Sequence, residues 1–382
     1  MLDKGALTGI TVLDLSRLLP GPYASMILAD HGARVISIED KRFIADGFFI
    51  TTVNRNKEHL SLDLKTAEGK DIFFRLVQTA DVIMEGFRPG VVQRLGVDYE
   101  TVRNVNPGII YCAITGYGQT GPSANRAGHD VNYISTAGLL DLIGEADAPP
   151  SIPGIQIADI AGGGMNAVIG ILLALVARNQ TGKGQYIDIS MTDGILGLLS
   201  IPLFFYQMSH HLPTRSDSSL SHRYACYNTY ETADGRYLSI GAVEHRFWKK
   251  LCEHLDYPEY IDLQYDDNRR IEIIDALRAV FHQKTLDAWN REFGALDLCW
   301  AKIQNLEEVL QDPLFKAREM VIDLPDKDGK PTPTFGVPVK LSDTPGKVRT
   351  PAVGFGESTV SILQEIGYSE SDISQFQKKG VV

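Results

Sequence analysis

Asp159 stands just before a glycine run, in the segment Ile157-Ala158-Asp159-Ile160-Ala161-Gly162-Gly163-Gly164. A carboxylate beside the free N–H groups of a helix start is either a functional acid whose anion is held there or an ordinary N-cap, and the spacing leaves both readings open. The same run matches the loose dinucleotide pattern Gly162-x-Gly164-x-x-Ala167, with Asp188 where a ribose-binding acid would sit. The plainer reading of these small residues is close helix packing. A second constellation is basic. Arg17 lies on the first loop, Lys41 and Arg42 follow the second strand, Arg55 and Lys57 flank Asn56, and Arg88 and Arg94 flank Pro89-Gly90. Converging from several loops, such side chains suit phosphate and pyrophosphate groups; dispersed, they are surface charge. His210, His211, His222 and His245 lack ligand spacing, so no metal centre is expected.

The elements that must carry these residues alternate in type. Strand-like runs at 10–15, 34–39, 60–64, 81–87, 108–118 and 185–190 are separated by helical stretches at 23–32 and 66–79, with Pro20-Gly21-Pro22 read as a turn. This alternation predicts an α/β domain of parallel βαβ units with ligand loops at strand ends. After Ser200 the pattern changes. The polar stretch at 209–223 reads as a linker or active-site loop, and 227–242 as a hairpin turning at Asp234-Gly235. From Glu244 to about Val321 the pattern is mostly helical, and the tail returns to extended segments with a short helix near 356–367. These shifts predict a large Rossmann-like domain over 1–200, a linker over 201–224, a smaller α+β domain over 225–325, and a C-terminal segment, 326–382, that rejoins the large domain.

Composition narrows the function classes. Of 382 residues, 44% are hydrophobic and 22% charged, as in an ordinary globular chain. A net charge of −11 argues against nucleic-acid or anionic-membrane partners. The longest apolar run, Ala167–Ala177, is short for a bilayer span, which needs ~20 residues. No secretory signal and no Ser-Lys-Leu terminus is seen, so a cytoplasmic location is expected. Cys112, Cys226, Cys252 and Cys299 are scattered and read as reduced thiols.

Four longer segments carry a family resemblance: LDLSRLLPGPYASMILADHGARVISIED (13–40), NRNKEHLSLDLKTAEGK (54–70), ADVIMEGFRPGVVQRLGVDY (80–99) and TGKGQYIDISMTDG (181–194). Together they resemble the family III CoA-transferases (CaiB/BaiF) and their racemase relatives, continuously over residues 8–250 and more loosely beyond. RAGHDVNYIS (126–135), IADIAGGG (157–164) and YLSIGAVEHRFWKKL (237–251) are most similar to the α-methylacyl-CoA racemase branch. The resemblance implies that His129 and Asp159 are the two catalytic bases, that Glu244 assists His129, and that the substrate is an acyl-CoA thioester with no further cofactor. It implies CoA contacts from Arg17, Lys41, Arg42, Arg55, Lys57, Arg88 and Arg94, and an interlocked homodimer in which Glu244 acts across subunits. Backbone N–H groups at Gly162–Gly164 are read from helix geometry as donors to an enolate oxygen. Two departures stand out: Gly86 replaces an Asn common in relatives, and 299–309 lacks the usual small-residue and Pro pattern. The alternatives are a CoA-transferase with Asp159 as nucleophile, and a CoA-thioester binder without catalysis.

Overall fold

The structure, a computed structural model, describes residues 5–46, 49–326 and 329–382. Strand β1 (Thr11–Asp14) leads through helix α1 (Pro20–Asp30) to β2 (Arg34–Glu39) and then to β3 (Lys57–Ser61). Pro20-Gly21-Pro22 is not a separate turn but the first turn of α1. Proline at the start of a helix loses no internal hydrogen bond, and its fixed φ already suits the helix. Helix α2 (Ala67–Val77) starts where the Thr66 hydroxyl accepts from the Gly69 N–H at 3.0 Å. Then come β4 (Val82–Glu85), α3 (Val91–Leu95), α4 (Tyr99–Val105), β5 (Ile110–Thr115) and α5 (Asp130–Thr136). A π-helical turn, Ala158–Met165, runs into α6 (Asn166–Thr181), followed by β6 (Tyr186–Ser190) and α7 (Met191–Gly197).

All six strands pair in parallel in the order β3-β2-β1-β4-β5-β6. The order reverses between β1 and β4, and in such a sheet ligands bind where loops diverge beyond the carboxyl ends of the strands. The central strands are apolar for most of their length: every residue of β5 is buried, and Leu13, Ile36, Ile83, Phe73 and Tyr111 lie in one core cluster. The third strand begins at Lys57, earlier than its apolar residues suggest, because the register pairs Lys57 with Val35.

The chain divides into two compact units, residues 1–139, 153–199 and 313–382 in one, and 140–152 with 200–312 in the other. The division differs from the sequence expectation at three places. Residues 140–152 belong to the second unit, 201–224 is part of that unit rather than a linker, and the return falls at 313 rather than 326. The second unit contains α8 (Ser200–Ser209), β7 (Tyr227–Glu231), β8 (Tyr237–Gly241), α9 (His245–His254), α10 (Arg270–Phe281), α11 (Leu286–Phe293), β9 (Trp300–Lys302) and α12 (Leu306–Gln311). Its antiparallel sheet has the order β7-β8-β9 and covers a core of Tyr230, Trp248, Phe281, Trp289 and Phe293. The first unit resumes with α13 (Pro313–Ala317), the hairpin β10 (Val321–Pro325) and β11 (Pro331–Phe335), then α14 (Thr359–Glu365) and α15 (Glu370–Lys379). The four cysteines are free.

Among the described residues, one helix, Ala158–Thr181, is long and apolar enough to cross a membrane by length and composition. In this fold it packs against the sheet and α1, with Ala167, Ile171, Ala174 and Leu175 buried.

Candidate active site

His129 is the N-cap residue of α5. Its backbone is extended, and its N–H donates to the Asn132 side-chain oxygen at 3.0 Å, which fixes where the helix begins and leaves the residue exposed. The next residue, Asp130, reaches across to the π-turn, where its carboxylate accepts the Asp159 backbone N–H at 3.0 Å. That single bond ties the start of α5 to the start of the π-turn, bringing the His129 and Asp159 side chains within electrostatic range. Asp159 is therefore not an N-cap. It is the second residue of the π-turn, and its own N–H is the group being capped. A π-helical turn inside a longer helix is rare and is common at functional sites.

The Asp159 carboxyl is half-buried. Burial and the adjacent Asp130 charge push it up to about 6, with His129 acting in the opposite direction. Tyr133, one turn along α5, donates its hydroxyl to the Gly128 carbonyl at 2.5 Å and packs edge-on against Tyr117, ring centroids 5.2 Å apart. Gly128 has to be glycine, since a Cβ there would sit 2.7 Å from the Tyr133 ring. Burial raises Tyr133 to about 12, with Asp159 adding to the rise and Arg88 opposing it, so Arg88 also lies within reach of this corner. Asp130, Tyr133 and Tyr117 were not singled out from the sequence. Asp130 was legible only as the acid following His129, with no spacing rule to mark it.

The glycine run does other work than expected. Gly162–Gly164 are the fifth to seventh residues of the π-turn, inside a continuous helix, so their N–H groups are not free helix-start donors to an enolate oxygen. Small residues are needed there for contact: a Cβ on Gly162 would meet the Met191 carbonyl at 2.5 Å, and one on Gly164 the Tyr23 ring at 2.9 Å. The dinucleotide reading fails on the same ground, because the run lies within a helix rather than in a strand-to-helix turn. Both carboxylate oxygens of Asp188 accept from the Gln119 backbone N–H, at 3.1 and 3.0 Å.

The basic candidates divide into two groups. Arg55 and Lys57 are buried and engaged within the fold, unlike the accessible cations expected to meet CoA phosphates. Arg55 pairs with Asp30 at 2.6 Å, and Lys57 donates to the Pro22 carbonyl at 2.8 Å, with Asp14 3.9 Å away. Arg17 and Arg42 line a slot of about 260 Å³ with Leu15, Ile38, Phe43 and Phe87, beyond the carboxyl ends of β1, β2 and β4. The Arg17 guanidinium lies 3.5 Å from the centre of the Phe43 ring while its Nε holds Glu39 at 2.8 Å. Arg42 pairs with Asp40, and Lys41, Arg88 and Arg94 are exposed. The slot is mostly apolar, and its charged rim carries Glu39, Asp40 and Asp63 as well as Arg17, Arg42 and Lys65, with Arg17 and Arg42 paired to Glu39 and Asp40. Glu244 belongs to the second unit. It is the exposed N-cap residue of α9, and its side chain makes no capping bond.

The parallel sheet, with a histidine and a raised carboxyl brought together at the starts of α5 and the π-turn, defines an α/β protein with a candidate acid–base site. The chain matches the CoA-transferase family III over residues 7–359, and it belongs to that family. It is 34% identical to the human alpha-methylacyl-CoA racemase over 99% of this chain and 97% of that one. It is 33% identical to the succinyl-CoA:mesaconate CoA-transferase of Haloarcula marismortui, over 95% and 97% respectively. A crystal structure of a CAIB/BAIF family protein from Brucella suis superimposes with a TM-score of 0.83 at 31% identity, covering 95% of this chain and all of that one. Racemases and CoA-transferases thus both stand among its relatives, and the family is enzymatic.

Proposed function

We propose that this protein is an α-methylacyl-CoA racemase that interconverts the two enantiomers of a 2-methylacyl-CoA by moving the α-proton through an enolate. The observation that carries the reading is the joining of His129 to Asp159 through Asp130, with the Asp159 carboxyl pushed up to about 6. For one enantiomer, neutral His129 takes the α-proton, the C–H electron pair moves into the thioester carbonyl to give an enolate, and protonated Asp159 returns a proton to the other face. For its mirror image, ionised Asp159 takes the proton and the His129 imidazolium returns one. A carboxyl that titrates near 6 makes both starting states accessible close to neutral pH, whereas an ordinary aspartate would be almost wholly ionised.

The CoA nucleotide is held in this reading at the Arg17–Phe43 slot, with Lys41, Arg42, Arg88 and Arg94 available to its phosphates. The thioester supplies the activation, so no further cofactor takes part. Glu244 would orient His129 from the partner subunit of a homodimer. Two features support an apolar contact between subunits: α6 exposes Ile169, Leu172, Leu173 and Val176, and α8 exposes Ile201, Leu203 and Phe204. The rival reading is a CoA-transferase, the activity for which the Haloarcula relative is named, with Asp159 as the nucleophile that forms an acyl anhydride. It gives His129 no part in the chemistry. The discriminating experiment incubates one enantiomer of a 2-methylacyl-CoA with the protein in deuterated buffer and follows the α-proton by NMR. Loss of the α-proton with inversion is expected. An intact α-proton, with CoA passing instead to an added carboxylic acid, would refute the racemase.

A further inference from the structure

We propose that Asp130 is a positioning residue for the Asp159 carboxyl, its own charged carboxylate held beside that group by the hydrogen bond it accepts from the Asp159 backbone N–H. The inference rests on the reading of Asp159 as an acid–base group and adds the residue that sets its protonation.

The geometry gives Asp130 two effects through one contact. The 3.0 Å bond crosses from the first residue of α5 to the second residue of the π-turn, so it fixes the Asp159 main chain relative to the adjacent His129. The bonded carboxylate also brings a negative charge next to the side chain of the residue it caps. Like charge disfavours ionisation, so Asp130 favours the protonated form of Asp159. An Asn or Ser at this place could accept the same N–H bond without the charge, which separates the two effects.

The surroundings leave few competing charges. From α5, His129 favours the ionised form of Asp159 and Asp130 the neutral one. Tyr133, also on α5, is pushed up to about 12 and stays neutral in the working range, while Arg88 approaches from the loop after β4 on the Tyr133 side. Pro20 and Tyr23 of α1 and Met191 and Ile195 of α7 meet the glycines of the π-turn, α7 also carries Asp193 and the adjacent β6 carries Asp188, and the charges that bear on Asp159 are those of Asp130 and His129. Opposed charges on two consecutive residues, 129 and 130, therefore tune one carboxyl.

The test is a carboxyl ¹³C NMR titration of aspartate-labelled full-length protein, with the Asp159 signal assigned by its loss in Asp159→Asn. Asp130→Asn is expected to lower the Asp159 midpoint by about 0.5–1 pH unit, and Asp130→Ser to do the same, while Asp130→Glu keeps it closer to wild type. The acid limb of α-proton exchange should move down with the midpoint. A purely structural role for Asp130 predicts an unmoved midpoint in whichever neutral variant folds by circular dichroism, and that result overturns the proposal. A lowered midpoint in protein that exchanges no α-proton at all would leave Asp130 as assigned and would refute the racemase reading instead.

Discussion

At the residue scale, the molecule keeps several ionisable groups in surroundings that shift their proton affinity, and not all of them belong to the active site. Glu85 closes β4, is 1% exposed, and accepts the Phe87 N–H at 2.6 Å. Burial pushes it up to about 8 from an ordinary 4.5, and the nearby Asp188 adds to the rise. The folded state therefore holds this proton at pH values where the unfolded chain has released it. Stability falls as pH rises from about 4.5 through 8. Glu85→Gln keeps an acceptor for Phe87 and removes the titration. Its free energy of unfolding in urea should gain on wild type as pH rises from 5 to 9, by on the order of a few kcal/mol at the upper end. A difference that stays constant with pH would show that Glu85 is ionised in the fold. Of the residues proposed to react, His129, Asp159 and Glu244 are marked in the sequence by long segments that carry a family pattern. Asp130, Tyr133 and Tyr117 are not legible there, since their importance comes from tertiary contacts that no local spacing encodes. The basic residues were legible as a set but not individually: type alone does not distinguish the buried Arg55–Asp30 pair from the accessible Arg88.

At the element scale, the parallel sheet could be read from alternation alone, because strands covered on both faces are apolar for most of their length. Boundaries moved where a local signal was ambiguous. Pro20 reads equally as a turn residue and as a helix start, and Lys57 reads as a polar loop residue until the register buries it against Asp14 and Pro22. The three-residue strand β9 escaped notice because Trp300–Lys302 has too little length to show a period; pairing with β8 creates it. The glycine run shows how one pattern serves two purposes. The same small residues that invite a nucleotide-loop reading are required inside the π-turn by the Met191 carbonyl and the Tyr23 ring. The π-turn itself is invisible in sequence, since it differs from an α-helix only in which carbonyl each N–H selects.

At the scale of the whole molecule, the proposed residues are divided between the two units. His129 and Asp159 lie in the first, and Glu244 lies on the second with its side chain uncommitted at the start of α9. Assistance across a dimer predicts that His129→Ala and Glu244→Ala subunits, each inactive alone, regain activity when mixed and refolded together, with about one working site per mixed dimer. Mixtures no more active than their parents would place Glu244 in its own subunit's site or outside catalysis. The central claim, two bases on opposite faces of one enolate, is tested most directly by presenting each enantiomer separately, in deuterated buffer, to His129→Ala and Asp159→Asn. Each variant should lose inversion of both enantiomers by ~10²-fold or more. Residual α-proton exchange should survive only for the enantiomer whose base remains, so the two variants show opposite preferences. Full inversion by His129→Ala would contradict the account.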